Sequence, residues 1–283
     1  MSFARTSAIE VPSGKDAAYE NFPVGSFLLP AALRPHVAVF YAYARAIDDI
    51  ADNSVLAPED KIARLDGFER ALLGETPGDP NFAKAHAMRR VLATTGITER
   101  HCVDLISAFK QDSIKHRYAD WSELIDYCNR SAAPVGRFLL DLHGGSRDGY
   151  GLSDALCNAL QILNHIQDCQ DDYRRLDRVY LPTRWLEEEE AHIADLDRRA
   201  ITPELRRVVD RCLDGVDALL RKGEGLPFGL ASRRLGLESG AILDIARTLS
   251  RLLRSRDPLA GRVQLGKSGF LWCCIRGAAS ALF

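Results

Sequence analysis

Residues 41 to 53 read YAYARAIDDIADN. The run from Val37 to Ile47 is apolar or aromatic except for Arg45, and then Asp48, Asp49 and Asp52 follow. Aspartate is a weak helix former and is rarely buried without a partner. On a helix, residues three and four apart share a face, so Tyr41, Arg45, Asp48 and Asp52 form one polar stripe. Asp49 points about 100° away from it and is a secondary candidate. An isolated D-x-x-x-D is as often a solvated face as a site, but flanks this apolar leave little helix to face water. Two carboxylates about 6 Å apart repel by roughly 3 kcal/mol at an effective dielectric near 20, so a partly buried pair calls for a cation.

A second stretch repeats the pattern. Residues 161 to 173 read QILNHIQDCQDDY. Gln161, Asn164 or His165, Asp168 and Asp172 share a face, while Ile162, Leu163 and Ile166 can pack the helix inward. Asp171 is secondary by phase, as Asp49 is. Two such stripes can face one another across a helical bundle. Mg²⁺ takes hard oxygen ligands and keeps waters and substrate phosphates in its shell, so two pairs of carboxylates suffice to hold ions around a diphosphate. Arg45 adds a fixed positive charge for the same group. A neutralised diphosphate can leave and a carbocation remains, which requires a dry apolar and aromatic wall. Phe22, Phe27, Phe40, Tyr41, Tyr43, Phe109, Tyr127 and Phe138 are the candidates for that wall, most of them individually expected as ordinary core.

The rest of the chain reads as helices. Pro35 marks a run from about Arg34 to Asn53, Pro58 one that stops at Gly74, and Asn81 to Thr95 one that ends at Gly96. Thr98 and Glu99 start another. Asp120 or Ser122 precedes a long run to His143 kinked by Pro134, and Ser153 caps a run to Arg175. Thr202 and Pro203 open a helix closed by Gly223, and the last long helix spans Glu238 to Arg256. RVYLP at 178–182 is the clearest non-helical segment. Strand alternation with hairpin turns is missing, and no linker or repeat divides the chain. The expectation is a single all-α domain over residues 1–283.

Composition narrows the function. A formal net charge of −2 over 283 residues leaves no basic excess for nucleic acid. The first residues lack a charged-then-apolar signal pattern, and no run nears the roughly 18 apolar residues of a membrane span, so a cytoplasmic protein is expected. Seven scattered cysteines without a C-x-x-C pair argue for reduced thiols and against a disulfide framework or thiolate zinc site. No G-x-G-x-x-G follows a strand, which argues against a nicotinamide cofactor.

Taken together, YAYARAIDDIAD, YCNRSAAPVGRFLLD at 127–141, NHIQDCQDDYRRLDRVYLP at 164–182 and RDPLAGRV at 256–263 resemble the squalene and phytoene synthase family over nearly the whole chain. ENFPVGSFLLP at 20–30 and RYADW at 117–121 add to the likeness and favour its hydroxysqualene-forming branch. The resemblance implies an all-α isoprenoid synthase with a central cavity and Mg²⁺. It implies that presqualene diphosphate is ionised, that the cation rearranges, and that water traps it as hydroxysqualene. It implies Asp48 and Asp52, with Asp168 and Asp172, as catalytic metal ligands. It also implies Tyr41, Arg45, Tyr127, Gln161 and Asn164 as substrate-binding residues. A presqualene diphosphate synthase and a hydroxysqualene reductase would then act before and after it. The chain departs from phytoene-type relatives at Gln167, where they carry arginine; Arg178, Arg262 or Lys267 could compensate.

Two rival readings stay open: condensation of two farnesyl diphosphates, and a non-catalytic helical module that kept the fold. His165 is the histidine nearest the chemistry, with a hydrogen-bonding role favoured over catalysis. Glu189 and His192 form one E-x-x-H, but a di-iron bundle needs two. The EEEE at 187–190 reads as a solvated face. FLWCCIRGAASALF at 270–283 reads as a packed terminal helix, with peripheral contact to a membrane as the second reading.

Overall fold

The computed structural model describes residues 29–281, so Phe22, Phe27 and most of the 20–30 stretch lie outside it. The helices are α1 (Arg34–Ala51), α2 (Pro58–Leu73), α3 (Ala83–Thr95), α4 (Arg100–Asp112), α5 (Trp121–Ser131), α6 (Ala133–Leu142) and α7 (Tyr150–Gln167). They continue as α8 (Cys169–Leu176), α9 (Thr183–Glu188), α10 (Pro203–Lys222), α11 (Leu226–Gly229), α12 (Arg233–Ser255) and α13 (Lys267–Ser280). The fold is all-α; among the described residues the extended pairing is one isolated parallel bridge between Arg117 and Val179.

Punctuation explains most boundaries. Pro58 opens α2, and Gly74 closes it in the left-handed region at φ 87°. The Asp120 carboxylate accepts from Glu123 N–H to cap α5, Thr202 does the same for α10, and Ser232 for α12. Two expected long helices are each broken in two. The run to His143 stops at Ala132 (φ −124°, ψ −48°), and α6 restarts with Pro134 in its first turn. Proline cannot donate an N–H and crowds the carbonyl four residues back, so a break replaces the expected kink. The run to Arg175 breaks at Asp168. Ser153 does not cap it: α7 starts at Tyr150, and Ser153 is buried against Gly136 of α6. The last long helix starts at Arg233 rather than Glu238.

Two apolar clusters make up the core. One joins α1 to α4 and α6 around Phe40, Tyr43, Phe68 and Phe138. The other joins α5, α7, α10 and α12 around Tyr127, Leu163, Val209 and Leu249. Phe40 stacks on Phe138 with ring centroids 4.1 Å apart. No described helix is long and apolar enough to cross a membrane. The cavity described next is lined by residues of both clusters.

Candidate active site

The face of α1 that carries Tyr41, Ala44, Arg45 and Asp48 opens onto a cavity of about 330 Å³, and Asp52, which caps the helix, joins them. Opposite, α7 contributes Ser153, Leu156, Cys157, Leu160, Gln161, Asn164 and His165, followed by Asp168 and Asp172. The break at Asp168 does not disturb this face. Asp168 N–H still donates to the Asn164 carbonyl at 2.9 Å and Asp172 N–H to that of Asp168 at 2.8 Å, so the four-residue spacing survives. All nine candidate residues drawn from the sequence therefore line one cavity. Asp49 is buried away from it, and Asp171 is exposed. Of the candidate aromatic wall, Phe40, Tyr41, Phe109 and Tyr127 line the cavity, whereas Tyr43 and Phe138 are core only.

Arginines accompany Asp48, Asp52 and Asp168. Arg45 Nη1 donates to Asp48 Oδ2 at 2.6 Å. Arg178 Nη1 donates to Asp52 Oδ1 at 2.5 Å, while its Nη2 donates to the Ala51 carbonyl at 2.7 Å. Arg262 Nη1 lies 3.5 Å from Asp168 Oδ1. Among the described residues, no group of three or more His, Cys, Asp or Glu side chains is gathered tightly enough to hold a metal ion by itself. The donor set is nonetheless hard oxygen from two carboxylate pairs with amides beside them. That suits an ion completing its shell with water and phosphate oxygens rather than a closed protein cage.

Behind Arg178 lies a network that the sequence does not announce. The Asp112 carboxylate accepts from Tyr127 O–H at 2.6 Å and from Tyr180 O–H at 3.2 Å, and Arg178 Nε donates to the Asp112 carbonyl at 3.1 Å. Burial pushes Asp112 up to about 6, with Arg178 and the two phenols holding it back. Burial also raises Tyr127 well above the usual phenol range, so it stays protonated. The His165 ring stacks on Tyr180 with centroids 3.5 Å apart, and its Nε2 lies 3.3 Å from Gln161 Nε2. Burial, and then the charge of Arg178, push His165 down to about 3, so the imidazole is neutral.

Gln167 takes no part in the lining. It is buried, and its amide donates to the Val263 carbonyl at 2.5 Å, tying down the segment that carries Arg262 into the cavity. Lys267 is exposed at the start of α13 and lies off the site. Glu189 pairs with Arg207 and Arg211. Asp112, Tyr180 and Glu238 are polar lining residues that the sequence reading missed. Arg178 and Arg262 entered it only as compensating charges.

A family model for squalene/phytoene synthase matches residues 16–268. The chain belongs to that family. It is 44% identical over 260 residues to the hydroxysqualene synthase of Rhodopseudomonas palustris, covering 92% of this chain and 88% of that one. It is 39% identical over 281 residues to the hydroxysqualene synthase of Zymomonas mobilis, covering 99% and 94%. These relatives place it in the hydroxysqualene synthase branch of the family, among enzymes. The crystal structure of squalene synthase HpnC from Alicyclobacillus acidocaldarius superposes with a TM-score of 0.71 at 33% identity, covering 82% of this chain and 87% of that one. A dehydrosqualene synthase in complex with ligand shares the fold at a TM-score of 0.78 and 20% identity, covering 93% and 91%.

Proposed function

We propose that the enzyme converts presqualene diphosphate to hydroxysqualene and diphosphate with Mg²⁺. The observation that carries this reading is the meeting of both aspartate pairs, Asp48/Asp52 and Asp168/Asp172, at one pole of a largely apolar cavity. Its relatives named hydroxysqualene synthase support the choice of reaction. Asp48, Asp52, Asp168 and Asp172 would hold the ions, with Gln161 and Asn164 as neutral neighbours. Bound magnesium supplies Lewis-acid neutralisation of the diphosphate oxygens. Arg45, Arg178 and Arg262 give the same pole fixed charge and paired donors for phosphate oxygens. The substrate C–O bond breaks with its electron pair leaving on diphosphate. Val37, Phe40, Leu139, Leu156 and Leu160 keep bulk water from the cation while it rearranges. Water then forms the new C–O bond.

Cytoplasmic placement with peripheral membrane contact fits a lipid substrate, and the exposed Leu271, Trp272 and Ile275 of α13 offer a surface for it. An upstream presqualene diphosphate synthase and a downstream hydroxysqualene reductase would complete the sequence. A second reading, condensation of two farnesyl diphosphates, draws support from Arg178 and Arg262, which add charge that a second diphosphate would need.

The test pairs turnover of presqualene diphosphate with thermal melting in Asp48→Asn and Asp168→Asn. Each variant is expected to lose most of its activity, a hundredfold or more being on the order of one lost transition-state interaction. Each should melt near the wild-type temperature without Mg²⁺, because the partly exposed ion pair lost with Arg45 or Arg262 is offset by the relief of carboxylate repulsion at the pole. Wild-type turnover in both would remove the metal assignment.

A further inference from the structure

An apolar cavity that protects a carbocation must bring its own water if the product is an alcohol. We propose that His165, together with Gln161, holds the water molecule that captures the cation. The proposal rests on hydroxysqualene formation as the reaction.

The lining of α7 is graded along its length. Asp168 stands at the acidic pole, Asn164 and His165 come next, then Gln161, and beyond them Leu160, Cys157 and Leu156, with Ser153 at the far end. At 1.5 Å of rise per residue, His165 lies about 4.5 Å and Gln161 about 10 Å from Asp168 along the axis. That is the boundary between the pole that would take the diphosphate and the wall that would take the hydrocarbon. The carbon released by the departing diphosphate has to pass there.

The partners of His165 suit a water site. Its ring is fixed by the stack on Tyr180, with Tyr127 6.0 Å away on the other contact. Its Nε2 shares one hydrogen bond with the Gln161 amide, so each side chain orients the other. An amide and an imidazole retain a further polar atom each beyond that shared bond, and an enclosed water needs two to four polar partners. A neutral ring also adds no second positive charge beside the cation. The Gln161 amide nitrogen can only donate, so His165 Nε2 accepts it and the neutral ring keeps Nδ1–H to donate to the water oxygen, while the Gln161 amide oxygen accepts a water hydrogen and the remaining lone pair of the water is directed at carbon. The balance is simple: the water oxygen gives the electron pair of the new C–O bond, and the released proton passes to the departed diphosphate.

The test gives presqualene diphosphate and Mg²⁺ to the wild type, His165→Phe and His165→Asn, and measures alcohol and hydrocarbon products by mass spectrometry. Phenylalanine keeps the stack on Tyr180 and removes both nitrogens; asparagine keeps hydrogen bonding in less volume. With water unplaced, the cation ends by losing a proton. The alcohol-to-hydrocarbon ratio of H165F is expected to fall about tenfold, equivalent to roughly 1.4 kcal/mol between the two routes. H165N should recover part of it. An unchanged ratio in H165F would overturn the proposal. So would a folded H165F that forms neither product, since ionisation does not need the water site. If melting shows H165F unfolded, an unchanged ratio in H165N overturns it instead. A wild type that makes no hydroxysqualene sinks the underlying reaction and is distinguished by that control.

Discussion

Asp112 shows how one residue ties the site to stability. Its carboxylate is buried among Tyr127, Tyr180 and Arg178, and the folded protein holds its proton up to about pH 6. In the unfolded chain an aspartate titrates near 3.9. The folded pKa is the higher, so this group favours the folded state most below the unfolded value, and the advantage is lost as pH rises through about 6. In Mg²⁺-free buffer the wild type should therefore gain a melting increment on going from pH 7.5 to pH 4.5 that Asp112→Asn lacks. Parallel melting curves for the two proteins across that range would refute the assignment. The aspartate pairs were legible in the sequence because a helix places residues three and four apart on one face. Asp112 was not, because its partners come from positions 127, 178 and 180 and no local spacing brings them together.

At the scale of elements, the crossing of α13 on α12 sets backbone directly against backbone. A Cβ built on Gly277 would lie 2.3 Å from the Gly240 carbonyl oxygen, and one on Gly240 would lie 2.5 Å from the Gly277 carbonyl oxygen. Both obstacles are backbone, so neither can swing aside. Gly277→Ala should force the helices apart and cost about 1 to 3 kcal/mol, the range for overpacking a close contact. Urea melts should show it as a lower midpoint at unchanged slope. A neutral result would mean that α13 can slide without loss. The expectation of a packed terminal helix rested on its apolar content, and this crossing is what packs it. Helix type was readable throughout because apolar period and end signals agree. The breaks at Ala132 and Asp168 were harder. Pro134 warned of the first two residues late, while nothing in NHIQDCQDD distinguishes a break from a continuous helix. The cavity face survived that error because the i to i−4 hydrogen bonds run through Asp168 unchanged.

For the whole molecule, the distribution of charge over the cavity limits the substrate. Both aspartate pairs and Arg45, Arg178 and Arg262 gather at one pole, and the walls beyond are largely Leu, Val and Phe, with the carboxylate of Glu238 and a few serines among them but, among the described residues, no further cation. Condensing two farnesyl diphosphates requires two diphosphates held at once, one leaving and the other on the donor alkene. Gln167, where phytoene-type relatives have arginine, would have been the place to look for the second charge. It is turned instead to the Val263 carbonyl and is buried outside the cavity lining. An amide supplies no charge to replace a guanidinium. Arg262, carried on the segment that Gln167 holds, already lies 3.5 Å from Asp168, so its charge serves the same pole as the first diphosphate. Farnesyl diphosphate as sole substrate with Mg²⁺ should therefore give little or no condensed product, while presqualene diphosphate is consumed. Lipid extraction and mass spectrometry of the two incubations decide it. Efficient formation of presqualene diphosphate, squalene or a phytoene-like hydrocarbon from farnesyl diphosphate would show that the cavity holds a second diphosphate and would move the enzyme to the condensing reaction. Failure of both substrates, with Mg²⁺ still bound, would leave a helical module that kept its acidic pole without the chemistry.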